Sequence, residues 1–218
     1  MTDADSTLDD LRLRLAPLIA DAAVFDGWSA EAVKAAAEQA GVDTDVAAFA
    51  FKGGAMAMIS AWTGSVDLAM ARELSPAELA ALPIRARIRR LVQFRLDAVA
   101  GQEEALSRAL AIMALPQNVA AGVKLGWRSA DVMWRLAGDR ATDYNHYTKR
   151  ATLGAIYAAT LTVFASDRSE GKAETRAFLD RRIEGVMRFE KAKGQILRSP
   201  EERFSMARFL GRLRYPAR

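Results

Sequence analysis

Residues 23–51 read AVFDGWSAEAVKAAAEQAGVDTDVAAFAF. Gly27 interrupts the helix that precedes it, and Ser29 has the short hydroxyl side chain that accepts from the first amides of a new one. The alanine-rich run over 30–40 carries that helix to Gly41, the residue type that tolerates a left-handed turn just past a helix end. A third, short helix is expected over 44–50. Upstream, Leu8, Leu11, Leu15, Leu18 and Ile19 recur at i, i+3, i+4 and i+7 spacing, so residues 7–24 form an amphipathic helix. Three helices joined by tight turns open the chain.

The same spacing, punctuated by turn signals, continues to the C-terminus, with no strand-like alternation of useful length and no internal repeat. A long segment begins near Lys52 and carries Met56, Ile59, Trp62, Val66 and Met70. Ser75-Pro76-Ala77-Glu78 has the form of a capping box with proline at the first helical position. Pro83 opens the next helix, with Ile84, Ile88, Leu91, Arg95 and Val99 on one side. Further helices are expected over 103–114, 117–137, 142–165 and 173–192, separated by Gly101, Pro116, Gly138 and Gly171. Ser199-Pro200-Glu201-Glu202 is a second capping box and starts a last helix. The expectation is an all-α bundle of about ten helices. It divides into a three-helix unit over 1–52, a helical core over 53–195 and an amphipathic tail over 196–218.

A chain of 218 residues, 51% hydrophobic and 27% charged, is globular in composition and long enough to bury a substantial core. It has no cysteine, which excludes disulfides, thiol chemistry and a thiolate zinc site. The first ten residues carry Asp3, Asp5, Asp9 and Asp10 and no lysine or arginine, unlike a secretory leader. No apolar run reaches the roughly 20 residues that span a bilayer. The expected location is the cytoplasm. Net charge is only +4 but lopsided: residues 1–50 hold three basic and ten acidic side chains, residues 168–218 fourteen basic and seven acidic. A polyanionic partner would therefore meet the tail and not the head.

The cadence of 23–51, with its Ala40-Gly41-Val42 turn and Phe49 near the end of the third helix, resembles the helix-turn-helix head of TetR-type regulators. The resemblance implies a TetR-like bundle and, as an alternative function, a ligand-responsive transcriptional regulator. A recognition helix needs cations or amides that reach phosphates and base edges. The corresponding segment here, Asp43-Thr44-Asp45-Val46-Ala47-Ala48-Phe49-Ala50, has two carboxylates and no base. No nucleic-acid partner is expected.

Residues 138–160, GDRATDYNHYTKRATLGAIYAAT, hold the only histidine, His146, among Asp143, Asn145, Tyr147, Lys149 and Arg150. Asp143, His146 and Lys149 or Arg150 could share one helical strip, but no glycine-flanked serine elbow supplies a nucleophile. A lone histidine without a Glu-x-x-His pair is short of metal ligands. Thr142 or Asp143 can cap the helix that follows. No catalytic residue, metal or cofactor is assigned.

The pattern G-D-x-x-T-D-x-N-x-Y-T-x-R, then A-x-L-x-x-I-Y, S-D-x-S and T-x-x-F-L-x-x-R-I, is carried here by residues Gly138 to Ile183. It strongly resembles the COQ-nine family of ubiquinone biosynthesis proteins. The resemblance implies a non-enzymatic, dimeric accessory protein that binds an isoprenoid lipid inside a TetR-like bundle and touches the membrane through its last helix. It also implies delivery of a ubiquinone precursor to a di-iron demethoxyubiquinone hydroxylase. Asp143, Asn145, His146, Tyr147, Lys149 and Arg150 would form the partner surface; His146 stands where the family often has tryptophan, a commoner anchor.

Candidate cavity-lining residues follow from the apolar stripes: Met113, Leu115, Trp134, Leu136, Leu153, Ile156, Tyr157, Leu161 and Met187, with Val119, Val123, Leu125, Trp127 and Met133 adding adaptable bulk. The opposite face of the 142–165 helix, Ala151, Gly154, Ala155 and Ala158, is small enough for a neighbouring helix to come close. In the tail, Met206, Phe209, Leu210 and Leu213 share one face while Arg203, Arg208 and Arg212 lie off it. Such a basic amphipathic helix suits a bilayer interface, peripheral to the inner face of the cell membrane.

Overall fold

The computed structural model describes residues 7–140 and 144–197. Among them the chain forms α1 (Leu8–Asp26), α2 (Ala30–Ala40), α3 (Thr44–Ala50), α4 (Ala55–Glu73), α5 (Pro76–Ala80), α6 (Ile84–Asp97), α7 (Glu103–Ala114), α8 (Val119–Leu136), α9 (Tyr144–Ser166) and α10 (Ala173–Leu197), with no strand. The chain divides into two compact units, residues 1–180 and 181–218. The second is helical through Leu197. The expected tail helix from Ser199, with Arg203, Met206, Arg208, Phe209, Leu210, Arg212 and Leu213, lies outside the described residues, as does Asp143.

The ends of the first three helices are chemically complete. Thr7 accepts from the Asp10 amide at 3.2 Å while the Asp10 carboxylate accepts from the Thr7 amide at 3.1 Å, a capping box built with aspartate. Ser29 accepts from Ala32 N, as its position predicts. At the far end of α2, Gly41 takes φ 64°, ψ 33°, and the Val42 amide returns to the Ala37 carbonyl at 2.9 Å. That is a Schellman turn. Asp43 caps α3 by accepting from Asp45 N and Val46 N at 2.9 and 3.0 Å.

The box expected at 75–78 does not form. Pro76 starts α5, but Ser75 makes no side-chain cap, and Glu78 lies 3.9 Å from Arg90 instead. An ion pair to the next helix has taken the carboxylate that would have closed the box.

α1 packs on α2, α3, α4 and α7, and α4 touches α1, α6, α7 and α8. Leu15 and Ile19 are fully buried. Trp28, at the α1–α2 junction, donates its Nε1–H to the Ala105 carbonyl at 2.9 Å and sets its ring 5.2 Å from Trp62. The three-helix head is thus fastened to the rest of the bundle. α9 lies against α7 and α8. A Cβ added at Gly154 would sit 3.7 Å from the Gly126 carbonyl oxygen and 3.9 Å from the Ala130 methyl, so Gly154 lets α8 and α9 approach closely, whereas Ala151, Ala155 and Ala158 of the expected small face are exposed.

Candidate functional site

Helices α4, α6, α7, α8 and α9 contribute the walls of a hollow of about 110 Å³. α4 supplies Ile59, Trp62 and Val66, α7 supplies Leu106, Leu110 and Met113, and α9 supplies Tyr157 and Leu161. Space remains because Ala109, Gly122, Gly126, Gly154 and Ala158 face the same volume; a Cβ at Gly126 would meet nothing within 4 Å. A cavity of about 150 Å³ admits benzene, and pockets for drug-sized ligands run to roughly 300–1,000 Å³. On that scale the hollow holds one small ring or the end of a chain.

One wall is polar. Arg95 of α6 is 2% exposed; its Nη1 pairs with Asp67 Oδ1, its Nη2 donates to Ser129 Oγ at 3.0 Å, and its guanidinium lies 4.9 Å from the Tyr157 ring centre. Burial pushes the Asp67 carboxyl above its ordinary range, against the pull of Arg95.

Of the nine lining candidates, Met113, Tyr157 and Leu161 reach the hollow. Leu115 and Met187 are exposed, at 44% each, and Met187 belongs to the second unit. Leu153 is buried in the core and Ile156 is half-buried. Trp134 donates its Nε1–H to the Lys149 carbonyl at 3.0 Å and pins α8 to α9, while Leu136 lines a separate groove with Pro76, Ala80 and Arg87. Val119 and Val123, expected to add lining, point to solvent at 45% and 66% exposed. α8 turns these residues outward and Leu125, Gly126 and Ser129 inward.

The polar stretch over 138–150 forms a knot of charges between α8 and α9 that is largely internal. Gly138 takes φ 88° just past α8, a backbone position that favours glycine, and the Asp139 amide returns to the Trp134 carbonyl at 2.9 Å. This turn carries Asp139 back toward α9. There its carboxylate receives Lys149 Nζ at 2.7 Å and Arg150 Nη1 at 3.1 Å, and Arg150 Nε reaches Asp131 at 2.6 Å. Arg150, expected on a partner surface, is therefore inside at 2% exposed. Lys149 is committed to Asp139 and to the Trp134 ring, 5.3 Å away. Asn145 and Tyr147 are exposed and His146 half-buried.

Residues 119–190, which span α8, the knot, α9 and most of α10, match the COQ9 family. The chain is a homologue of COQ9. It is 33% identical over 168 residues to the ubiquinone biosynthesis protein COQ9, mitochondrial, of Homo sapiens, covering 74% of this chain and 52% of that protein. The Rattus norvegicus COQ9 is also 33% identical over 168 residues, covering 74% and 54%. The chain spans about half the length of the curated relatives it matches. Its fold matches a TetR transcriptional regulator from Nitrosomonas europaea ATCC 19718, with TM-score 0.64, 24% identity and coverage of 81% of this chain and 98% of that one. The all-α, TetR-like architecture expected from residues 23–51 is the one observed.

Seen in the structure, much of the COQ9-like pattern is scaffolding. Gly138, Asp139 and Arg150 build the turn and ion pairs just described. Asp167 accepts from the amides and hydroxyls of both Ser169 and Thr175, at 2.5–2.8 Å, and so joins the end of α9 to the start of α10. Burial would raise that carboxyl, but these four bonds outweigh it and hold it well below the usual carboxylate range. Among the pattern's exposed residues are Asn145 and Tyr147, with the half-buried His146 between them. The Tyr147 ring lies 6.1 Å from Trp127 and 5.1 Å from His146. A neighbouring helix thus places Trp127 beside Tyr147, a contact visible only in three dimensions.

The exposed side of α3 presents Asp45, Val46, Ala48 and Phe49, with the exposed Lys52 4.9 Å from the Phe49 ring centre, and Asp43 is spent on its cap. Among the described residues no group of three or more histidines and carboxylates could hold a metal. No single described helix is long and apolar enough to cross a membrane.

Proposed function

We propose that this COQ9 homologue acts in ubiquinone biosynthesis as a non-enzymatic accessory protein. In this reading it binds an isoprenoid quinone precursor in the hollow and presents it to a membrane-associated hydroxylase. The observation that carries the proposal is a glycine- and alanine-spaced apolar hollow with a buried polar wall, in a chain that matches COQ9 over 119–190. At rest the hollow accommodates a ring or one isoprene-sized segment. A longer guest requires the surrounding helices to part, which leucine and methionine side chains accommodate by changing rotamer.

The partner surface in this proposal is the strip of exposed Val123, Asn145 and Tyr147 with half-buried Trp127 and His146. It combines large aromatics with adaptable polar groups, the composition of interface anchors. Residues 200–214 supply reversible attachment to the membrane, and the protein works as a homodimer. The test is native mass spectrometry of gently purified full-length protein from a quinone-making host, followed by lipid extraction. The wild type is expected to carry a prenylated lipid, and Gly126→Leu, which fills the hollow, to lose it without losing helicity. A lipid-free wild type, or wild-type loading of the filled variant, overturns the proposal.

A further inference from the structure

Leu115, Val119 and Val123 are exposed, and they fall together at the corner where α7 turns into α8. From Ala109 to Val123 the chain carries no charge, and between Glu104 and Asp131 it carries no carboxylate. Ala114, Pro116 and Ala120 are exposed at the same corner. The neighbouring α9, which packs on both helices, adds no charge between Arg150 and Asp167. Single exposed apolar residues are ordinary, but a contiguous uncharged patch marks a surface that meets something apolar.

The turn itself is suited to leaving water. Asn118 donates its side-chain N–H to the Ile112 carbonyl at 2.9 Å and its amide to the Leu115 carbonyl at 2.8 Å, so carbonyls at the end of α7 have partners within the chain. Cations stand at a set height above it. Lys124 and Arg128, both exposed, follow Ala120 at i+4 and i+8 along α8, about 6 and 12 Å from it at 1.5 Å per residue. On the inner side of the same corner, Ala109, Leu110 and Met113 of α7 and Gly122 and Leu125 of α8 line the hollow.

We infer that the α7–α8 corner is a membrane-docking wedge through which the hollow is loaded. Leu115, Pro116 and Val119 seat at the acyl boundary of an anionic bilayer, and Lys124 and Arg128 extend their stems so that their charges meet the lipid phosphates. The inference rests on the reading of the hollow as a ligand chamber and adds a membrane contact separate from residues 200–214. A soluble anion would engage the two cations and leave the apolar tip in water; a bilayer satisfies both.

The chain has no cysteine, so one introduced cysteine carries a label at a chosen place. Full-length Val119→Cys and, as reference, Phe25→Cys, at an exposed position of α1, each receive an environment-sensitive fluorophore. Both are mixed with vesicles of phosphatidylcholine and phosphatidylglycerol, with and without brominated acyl chains, and binding is followed by flotation. On bound protein the Val119 label is expected to shift to the blue and to be quenched by the brominated chains, and the Phe25 label to do neither. Leu115→Asp with Val119→Asp is expected to keep its helicity and to take up a benzoquinone bearing two isoprene units from ethanol as the wild type does. Its uptake of that quinone from the vesicles should fall about tenfold or more, the scale of one apolar side chain left unburied. The inference is overturned by a wild type that does not float or by a Val119 label that stays in water on bound protein. It is equally overturned by a label buried on raising protein concentration without vesicles, the mark of a second copy, or by equal vesicle uptake in the wild type and double variant. A wild type that takes up the quinone from neither source overturns the chamber reading as well.

Discussion

Arg95 and Arg150 are equally buried, at 2% exposed, and both are tied to carboxylates, yet the molecule surrounds them differently. Arg150 is enclosed by two carboxylates and a backbone carbonyl, through Asp131, Asp139 and His146 O. Arg95 has one carboxylate, one hydroxyl and a ring, and its residue borders a hollow. The Arg150 pairs tie α9 to α8 and to the turn that follows α8. The Arg95 contacts tie α6 to α4 and α8 and give the hollow a polar wall.

The sharpest way to break this contrast is Arg150→Met. It leaves Asp139, whose side chain is 6% exposed, with Lys149 alone, takes one partner from Asp131, and is expected to cost about 3 kcal/mol, read from the shift of a urea unfolding midpoint. A loss under about 1 kcal/mol would mean that the knot is not architecture.

Asp167→Asn comes next. It weakens the junction of α9 and α10 and should cost about 2 kcal/mol at neutral pH, since hydrogen bonds to a charged acceptor are lost. The sign of its pH dependence follows from the depressed folded value. Above the unfolded aspartate value of about 3.9 the contribution is fully present; below it the unfolded chain binds the proton first, so stability drains as pH falls. The gap between wild type and Asp167→Asn should therefore be constant near neutrality and shrink below about pH 4. Unfolding curves at pH 7 and pH 3 check this, and a gap that widens in acid contradicts it.

The smallest effect on stability is expected at Tyr147→Ala, because Tyr147 is 60% exposed. The change should stay within about 0.5 kcal/mol while weakening capture of the pathway hydroxylase by about tenfold or more. Unchanged capture would remove Tyr147 from the proposed partner surface.

How much of this was legible differs by region. The start and end of α2 could be read directly, because Ser29 and Gly41 act on amides and carbonyls within a few residues of themselves; Asp43, which caps α3, has the same local reach and was not singled out. Glu78 showed the limit of such reading: Arg90, twelve positions along, took the carboxylate that a capping box needed. In the candidate site, Met113, Tyr157 and Leu161 were recognisable as lining, whereas Leu115, Val119 and Val123 carry the same apolar signal and face solvent. The central residue, Arg95, was placed on a helical face from its spacing with Ile88 and Leu91, but nothing near it in the chain announces Asp67, Ser129 or Tyr157. Trp127 beside Tyr147 is a similar case, a pair made by two helices.

The chain by itself determined its helices, their caps and the acidic head and basic tail, since those depend on hydrogen bonds and periodicities that span one or two turns. Tertiary structure decided which apolar stripe borders a hollow and which partners each buried arginine meets. Periodicity specifies a face; what covers that face depends on helices distant in sequence, and the partners available there decide whether a buried charge is satisfied.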